Sequence, residues 1–132
     1  MRGLDTNILV RLLTGDDPDQ ARKVAALLEK TEEEGNRLHV SSVTLCELAW
    51  VLRSRYRMSR QEISLALQSL LDVTILEVQE RDLVRRALDD FRTGPASFPD
   101  YLIGWQNWQA GCADTLTLDR KLSESAGFTL LS

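Results

Sequence analysis

The chain has 132 residues, 43% of them hydrophobic and 27% charged, with 16 Lys+Arg against 20 Asp+Glu for a formal net charge of −4. That length fits a single domain spanning residues 1–132, able to bury a core without a disulfide or zinc staple, and the apolar content excludes a disordered chain. An aromatic content of 6% argues against an RNA-binding sheet built on stacked rings, and the acidic balance argues against a general nucleic-acid binder.

The elements follow in chain order. Met1–Leu4 reads as a short strand and Asn7–Leu13 as a short helix closed by Thr14-Gly15. Asp17-Pro18-Asp19-Gln20 starts a second helix, with Asp17 as cap and Pro18 in the first turn, running to about Glu34 before Gly35-Asn36. Leu38–Ser41 reads as a strand, and Thr44–Arg57 as a helix whose apolar face is Leu45, Leu48, Ala49, Leu52 and Tyr56. Ser59 to Glu62 has capping-box spacing and opens a helix to about Leu71. Val73–Val78 is a strand, Asp82–Arg92 a helix, Pro99–Ala110 a helix, Thr115–Leu118 a strand, Asp119–Ser125 a short helix and Phe128–Leu131 a last strand. Strands separated by helices need crossover connections, so the class is α/β with a mostly parallel sheet flanked by helices.

No apolar run approaches the roughly 20 residues that cross a bilayer. An acid at Asp5 stands where a secretion signal would have its apolar core, so a cytoplasmic location is expected. Cys46 and Cys112 have no second ligand at zinc spacing and read as two buried reduced thiols. His39 is the only histidine and lies in an alternating segment, which suits a packed or half-exposed strand residue better than a catalytic base. A Ser/His or Cys/His hydrolase therefore has little support.

Acids mark the positions where chemistry concentrates. In an open parallel sheet, ligands bind beyond the carboxyl ends of the strands. Asp5 ends the first strand, Asp119 ends the Thr115–Leu118 strand, and Glu47 falls in the first turn of the helix after the second strand. Asp100 falls in the first turn of the Pro99 helix. If they converge, each like-charge pair about 5 Å apart costs roughly 3 kcal/mol at an effective dielectric near 20, so the cluster must take up protons or a cation. Oxygen-only ligands select a hard ion, Mg²⁺ or Mn²⁺, and such ions support phosphodiester hydrolysis. Each acid also has a purely structural reading. Thr44 and Glu47 have capping-box spacing, Asp100 suits a helix dipole, Asp119 suits an N-cap and Asp5 an Asx turn.

The flanks of these acids resemble a known family. Gly3-Leu4-Asp5-Thr6-Asn7-Ile8-Leu9-Val10-Arg11 and Ser41–Leu52 resemble the PIN-domain ribonucleases, specifically VapC-like toxins of prokaryotic toxin–antitoxin pairs. So do Phe98–Gly104, Gly111-Cys112 with Thr115–Leu122, and Gly127–Leu131. The resemblance runs in order over almost the whole chain. It implies a PIN-like three-layer fold, single-stranded RNA as substrate, and metal-ligand and water-activating roles at Asp5, Glu47, Asp100 and Asp119. It further implies supporting polar roles for Asn7 and Thr117, a homodimer, and a small VapB-like antitoxin as partner. Pro99 departs from the small residue usual before the third acid, and Asp114 stands one position from where a neighbouring acid often occurs, so it is left outside the core site.

Arg11, Arg120 and Lys121 lie within a few residues of these acids and are candidates for RNA phosphate contact. Arg53, Arg55, Arg57 and Arg60 suit either a solvated helix end, an RNA backbone or an acidic antitoxin tail, while Arg85-Arg86 reads as surface. Trp105 and Trp108 share a helix side and read as core or dimer contact ahead of base stacking. Alternatives to the ribonuclease are another metal-dependent phosphoesterase or DNA nuclease, and a PIN-like module that binds without cutting.

Overall fold

The computed structural model describes all residues, Met1–Ser132, as two compact units divided between Arg81 and Asp82. The fold is α/β, with parallel strand pairing throughout and six α-helices. No helix is long and apolar enough to cross a membrane.

The first unit begins with β1 (Arg2–Gly3) and α1 (Thr6–Thr14). Helix α1 stops at Gly15, whose φ of 64° is a left-handed conformation that a side chain would strain. Next comes α2 (Pro18–Glu33), capped by Asp17, whose carboxylate accepts from the Gln20 N–H at 3.1 Å. Then follow β2 (Leu38–Val40), α3 (Ser42–Ser54), α4 (Arg60–Leu71) and β3 (Leu76–Val78). The strands lie in the order β1-β2-β3, and Leu38 and Val40 stand beside Leu76 and Val78. These four side chains are buried on one face, while His39 is half-buried and Glu77 exposed on the other. Leu45, Leu48, Ala49 and Leu52 of α3 are buried as their spacing requires. Tyr56 falls beyond the helix. Arg81 fastens the end of the unit, its guanidinium donating to the carbonyls of Leu71 at 2.5 Å and Leu76 at 3.1 Å.

The capping box expected at Ser59 and Glu62 is present in both directions, with 3.1 Å to the Ser59 Oγ and 3.0 Å to the Glu62 carboxylate. These bonds hold the Glu62 carboxyl below its ordinary range, the Ser59 N–H being the main cause. A depressed carboxyl contributes stability that is present above its unfolded value, near 4.3, and fades as pH falls through the folded value. Ser59→Ala is expected to cost about 1 kcal/mol at neutral pH. Alanine keeps the Ser59 N–H that chiefly lowers Glu62 and loses only the acceptor for the Glu62 N–H, so melting curves taken from pH 7 to pH 3 should show most of that difference persisting.

The second unit contains α5, which begins at Arg81 and runs to Thr93, then α6 (Phe98–Gln109), β4 (Thr115–Thr117) and β5 (Phe128–Leu130). Strands β4 and β5 form their own parallel ladder, separate from β1-β2-β3. Phe98, Leu88 and Leu102 are fully buried, and Phe91 meets Phe98 edge-to-face at 6.5 Å. Gly104 of α6 has no room for a side chain, since a Cβ would lie 2.6 Å from the Phe128 ring. Gly104→Ala is therefore expected to destabilise the fold by about 1–3 kcal/mol, read as a lower urea midpoint.

Four expectations need correction. The Asp119–Ser125 segment is one 3-10 turn, Leu122–Glu124, and Val73–Val78 yields a strand only from Leu76. Helix α3 starts at Ser42, capped by Ser41 through the Thr44 N–H at 3.1 Å, so Thr44 and Glu47 form no capping box and Glu47 lies in the second turn. The cysteines are free but not both buried: Cys46 is half-buried, which pushes its thiol pKa up, and Cys112 is exposed.

Candidate active site

Within the first unit, Asp5 and Ser41 stand just past the carboxyl ends of the adjacent strands β1 and β2, where α1 and α3 begin. Asp5 is the N-cap of α1, and its Oδ1 accepts from the Thr6 N–H at 2.6 Å, which leaves Oδ2 without a protein donor. Glu47 is exposed on the outer face of α3, in a row with Val43 and Trp50, and has no capping role. Asn7 is exposed in the first turn of α1.

Within the second unit, Asp100 is held in a capping box by Ser97. Its Oδ2 accepts from the Ser97 hydroxyl at 2.9 Å and the Ser97 N–H at 3.2 Å, and Oδ1 is left over. The S-x-x-D spacing of Ser97 and Asp100 was a readable signal for this cap. Asp119 follows β4, and its Oδ1 accepts from the N–H groups of Lys121 at 2.9 Å and Leu122 at 3.2 Å. Thr117 accepts from the Asp119 N–H at 3.0 Å, so it orients the backbone of that acid. Asp114 receives the Thr129 hydroxyl at 2.6 Å and ties the start of β4 to β5.

In neither unit alone do three or more His, Cys, Asp or Glu side chains gather into a metal-holding group. The donor chemistry nonetheless fits a hard divalent cation. Asp5, Asp100 and Asp119 each keep one carboxylate oxygen outside their capping bonds, and Glu47 keeps both.

The candidate phosphate contacts differ in availability. Arg120 and Lys121 are exposed beside Asp119. Arg11 donates to Asp16 at 2.8 Å and to Gln20 at 2.5 Å, while Tyr56 donates to the other Asp16 oxygen at 2.7 Å. The Tyr56 and Thr14 hydroxyls hold the Asp16 carboxyl below the usual range, and Tyr56 is the main cause that raises Arg11. Any contact from Arg11 to a phosphate must compete with these bonds. Arg86 is on the surface as expected, yet it is not idle: its guanidinium lies over the Trp105 and Trp108 rings at 5.1 and 5.4 Å. Sequence spacing pairs the two tryptophans but carries no signal for their third partner on α5.

An α/β chain with parallel ladders and acids just past its strands belongs to the class of proteins that bind their ligands beyond the strand ends. Residues 4–126 match the family model of the PIN domain, and the chain belongs to that family. PIN domains are typically metal-dependent nucleases. The chain is also similar to the VapC ribonuclease of Aquifex aeolicus (strain VF5), with 21% identity over 124 residues, or 94% of this chain and 91% of that protein.

Proposed function

We propose that the chain is a Mg²⁺- or Mn²⁺-dependent endoribonuclease that cuts single-stranded RNA and acts as a toxin neutralised by a small antitoxin. The observation that carries this reading is the nearly full-length similarity to a VapC ribonuclease. It is joined by the oxygen-only donor set of Asp5, Glu47, Asp100 and Asp119, each with a carboxylate oxygen to spare. In this reading those four residues hold the metal, and Asn7 and Thr117 are supporting polar groups. Thr117 acts by fixing the Asp119 backbone. When bound, the metal polarises a phosphoryl oxygen and makes water more acidic. Lys121 as a point charge and Arg120 through its guanidinium fork, with Arg11 as a lesser candidate, neutralise the RNA backbone. The active assembly is a homodimer, and the antitoxin covers it in the resting cell.

The test compares single-stranded RNA, single-stranded DNA and a generic phosphoester as substrates, with Mg²⁺ or Mn²⁺ and with EDTA. RNA alone should be cut, and chelation should stop cleavage. Preference for DNA or for the small phosphoester, or cleavage that survives EDTA, overturns the proposal.

A further inference from the structure

The second unit carries a half-open cavity of about 360 Å³ that the nuclease reading does not use. Its volume lies in the range of small-ligand sites. Four aromatic side chains line it, Tyr101, Trp105, Trp108 and Phe128, together with the carboxylates of Asp90 and Asp114. No Lys, Arg or His lines it. Gly94 and Gly104 permit the tight walls, since a side chain at either would run into Tyr101 or Phe128.

The carboxylates are fixed in place, yet neither is neutralised by a cation in the wall. Asp90 Oδ2 accepts from the Trp105 Nε1–H at 2.7 Å, and Asp114 Oδ2 accepts from the Thr129 hydroxyl at 2.6 Å. Each keeps its second oxygen for a ligand. Two negative groups repel a phosphate and attract a cation. The ring geometry points the same way. Trp105 meets Trp108 at 81° with centroids 5.5 Å apart, and Tyr101 meets Phe128 at 79°. Rings so crossed offer no parallel slot for a flat base between the members of either pair. A cation needs only one ring face. The tryptophan pair already holds one such group, because the Arg86 guanidinium lies over both indoles without entering the cavity wall.

We propose that this cavity binds an organic cation, a guanidinium or alkylammonium group, against its rings and between Asp90 and Asp114. The group belongs either to a free amine or to a basic side chain of a partner protein. The proposal is independent of RNA cleavage. The experiment uses the full chain carrying Trp50→Phe, so that the remaining tryptophans, Trp105 and Trp108, both line the cavity. Their fluorescence is followed during titration with agmatine, putrescine, a short peptide with one central arginine, the neutral 1,4-butanediol, and adenosine.

Saturable binding is expected for a cationic probe and not for butanediol or adenosine. Asp114→Asn, which keeps an acceptor for Thr129, should weaken it about tenfold, and Trp108→Ala by a similar factor. Circular dichroism checks that the variants fold; if Trp108→Ala does not, Asp114→Asn decides alone. Binding of the free amines assigns a small-molecule ligand, and binding of the peptide alone assigns a partner's side chain. No saturable signal from any cation, equal binding in Asp114→Asn, or tighter binding of adenosine overturns the proposal.

Discussion

Asp5→Asn, Asp100→Asn and Asp119→Asn are each expected to abolish metal-dependent RNA cleavage while leaving the protein folded. The separation is possible because, in the proposed site, each of these acids has two jobs for different atoms. One oxygen accepts from backbone N–H groups at the start of a helix or turn, and the other is spare. An amide keeps one acceptor oxygen for the cap but carries no charge for a divalent cation. The loss of several kcal/mol of transition-state stabilisation corresponds to about 10²–10³-fold in rate. Melting temperatures should stay close to that of the parent. The corresponding alanine variants remove the cap as well, so they should lose activity and also about 1 kcal/mol of stability. Glu47→Gln should lose activity with no stability change of either kind, because Glu47 caps nothing. Single-turnover cleavage assays beside thermal melts read both axes. Full activity in the Asp5→Asn protein would remove Asp5 from the site.

Phe98→Ala carries the largest expected cost in stability. The side chain is 1% exposed and meets Phe91 edge-to-face with ring centroids 6.5 Å apart. Truncation removes the buried ring and leaves a cavity that close-packed neighbours only partly fill, at a cost of about 3–5 kcal/mol. Set against a usual total of about 5–15 kcal/mol, that is a large fraction. Urea unfolding should show a much lower midpoint with little change in slope. Phe98→Leu keeps most of the volume and should cost under about 1.5 kcal/mol. If the alanine variant unfolded at the parent's midpoint, Phe98 would not be the core residue described.

Element order was legible in the amino acids because its signals are local. Asp17 with Pro18, Ser59 with Glu62 and the left-handed Gly15 act within a turn of their own position, and each has the role its spacing announces. The buried face of α3 follows from helical period alone. The same local logic failed where two caps competed. Ser41 and Thr44 both offer hydroxyls, and Ser41 takes the Thr44 N–H, which starts the helix two residues early and frees Glu47 from any capping role.

The acids Asp5, Glu47, Asp100 and Asp119 were legible as candidates, through their placement after strands and in helix turns and through their family-like flanks. Their chemical environment was not, because it is set by atoms whose identity the spacing does not encode. Ser97 occupies one oxygen of Asp100, and Thr117 fixes Asp119 through a single backbone N–H.

Composition and local pattern were enough for the α/β class, the order of the elements and the acids on offer, since propensity, capping and periodicity act over a few residues. Folding in three dimensions was needed to split the strands into two ladders and to expose Cys112. It was also needed to bind Arg11 to Asp16 and Tyr56, and to wall a cavity with Asp90 and Phe128, which are far apart in the chain. Those outcomes depend on contacts between distant residues, where burial and geometry select among partners that look equivalent in one dimension.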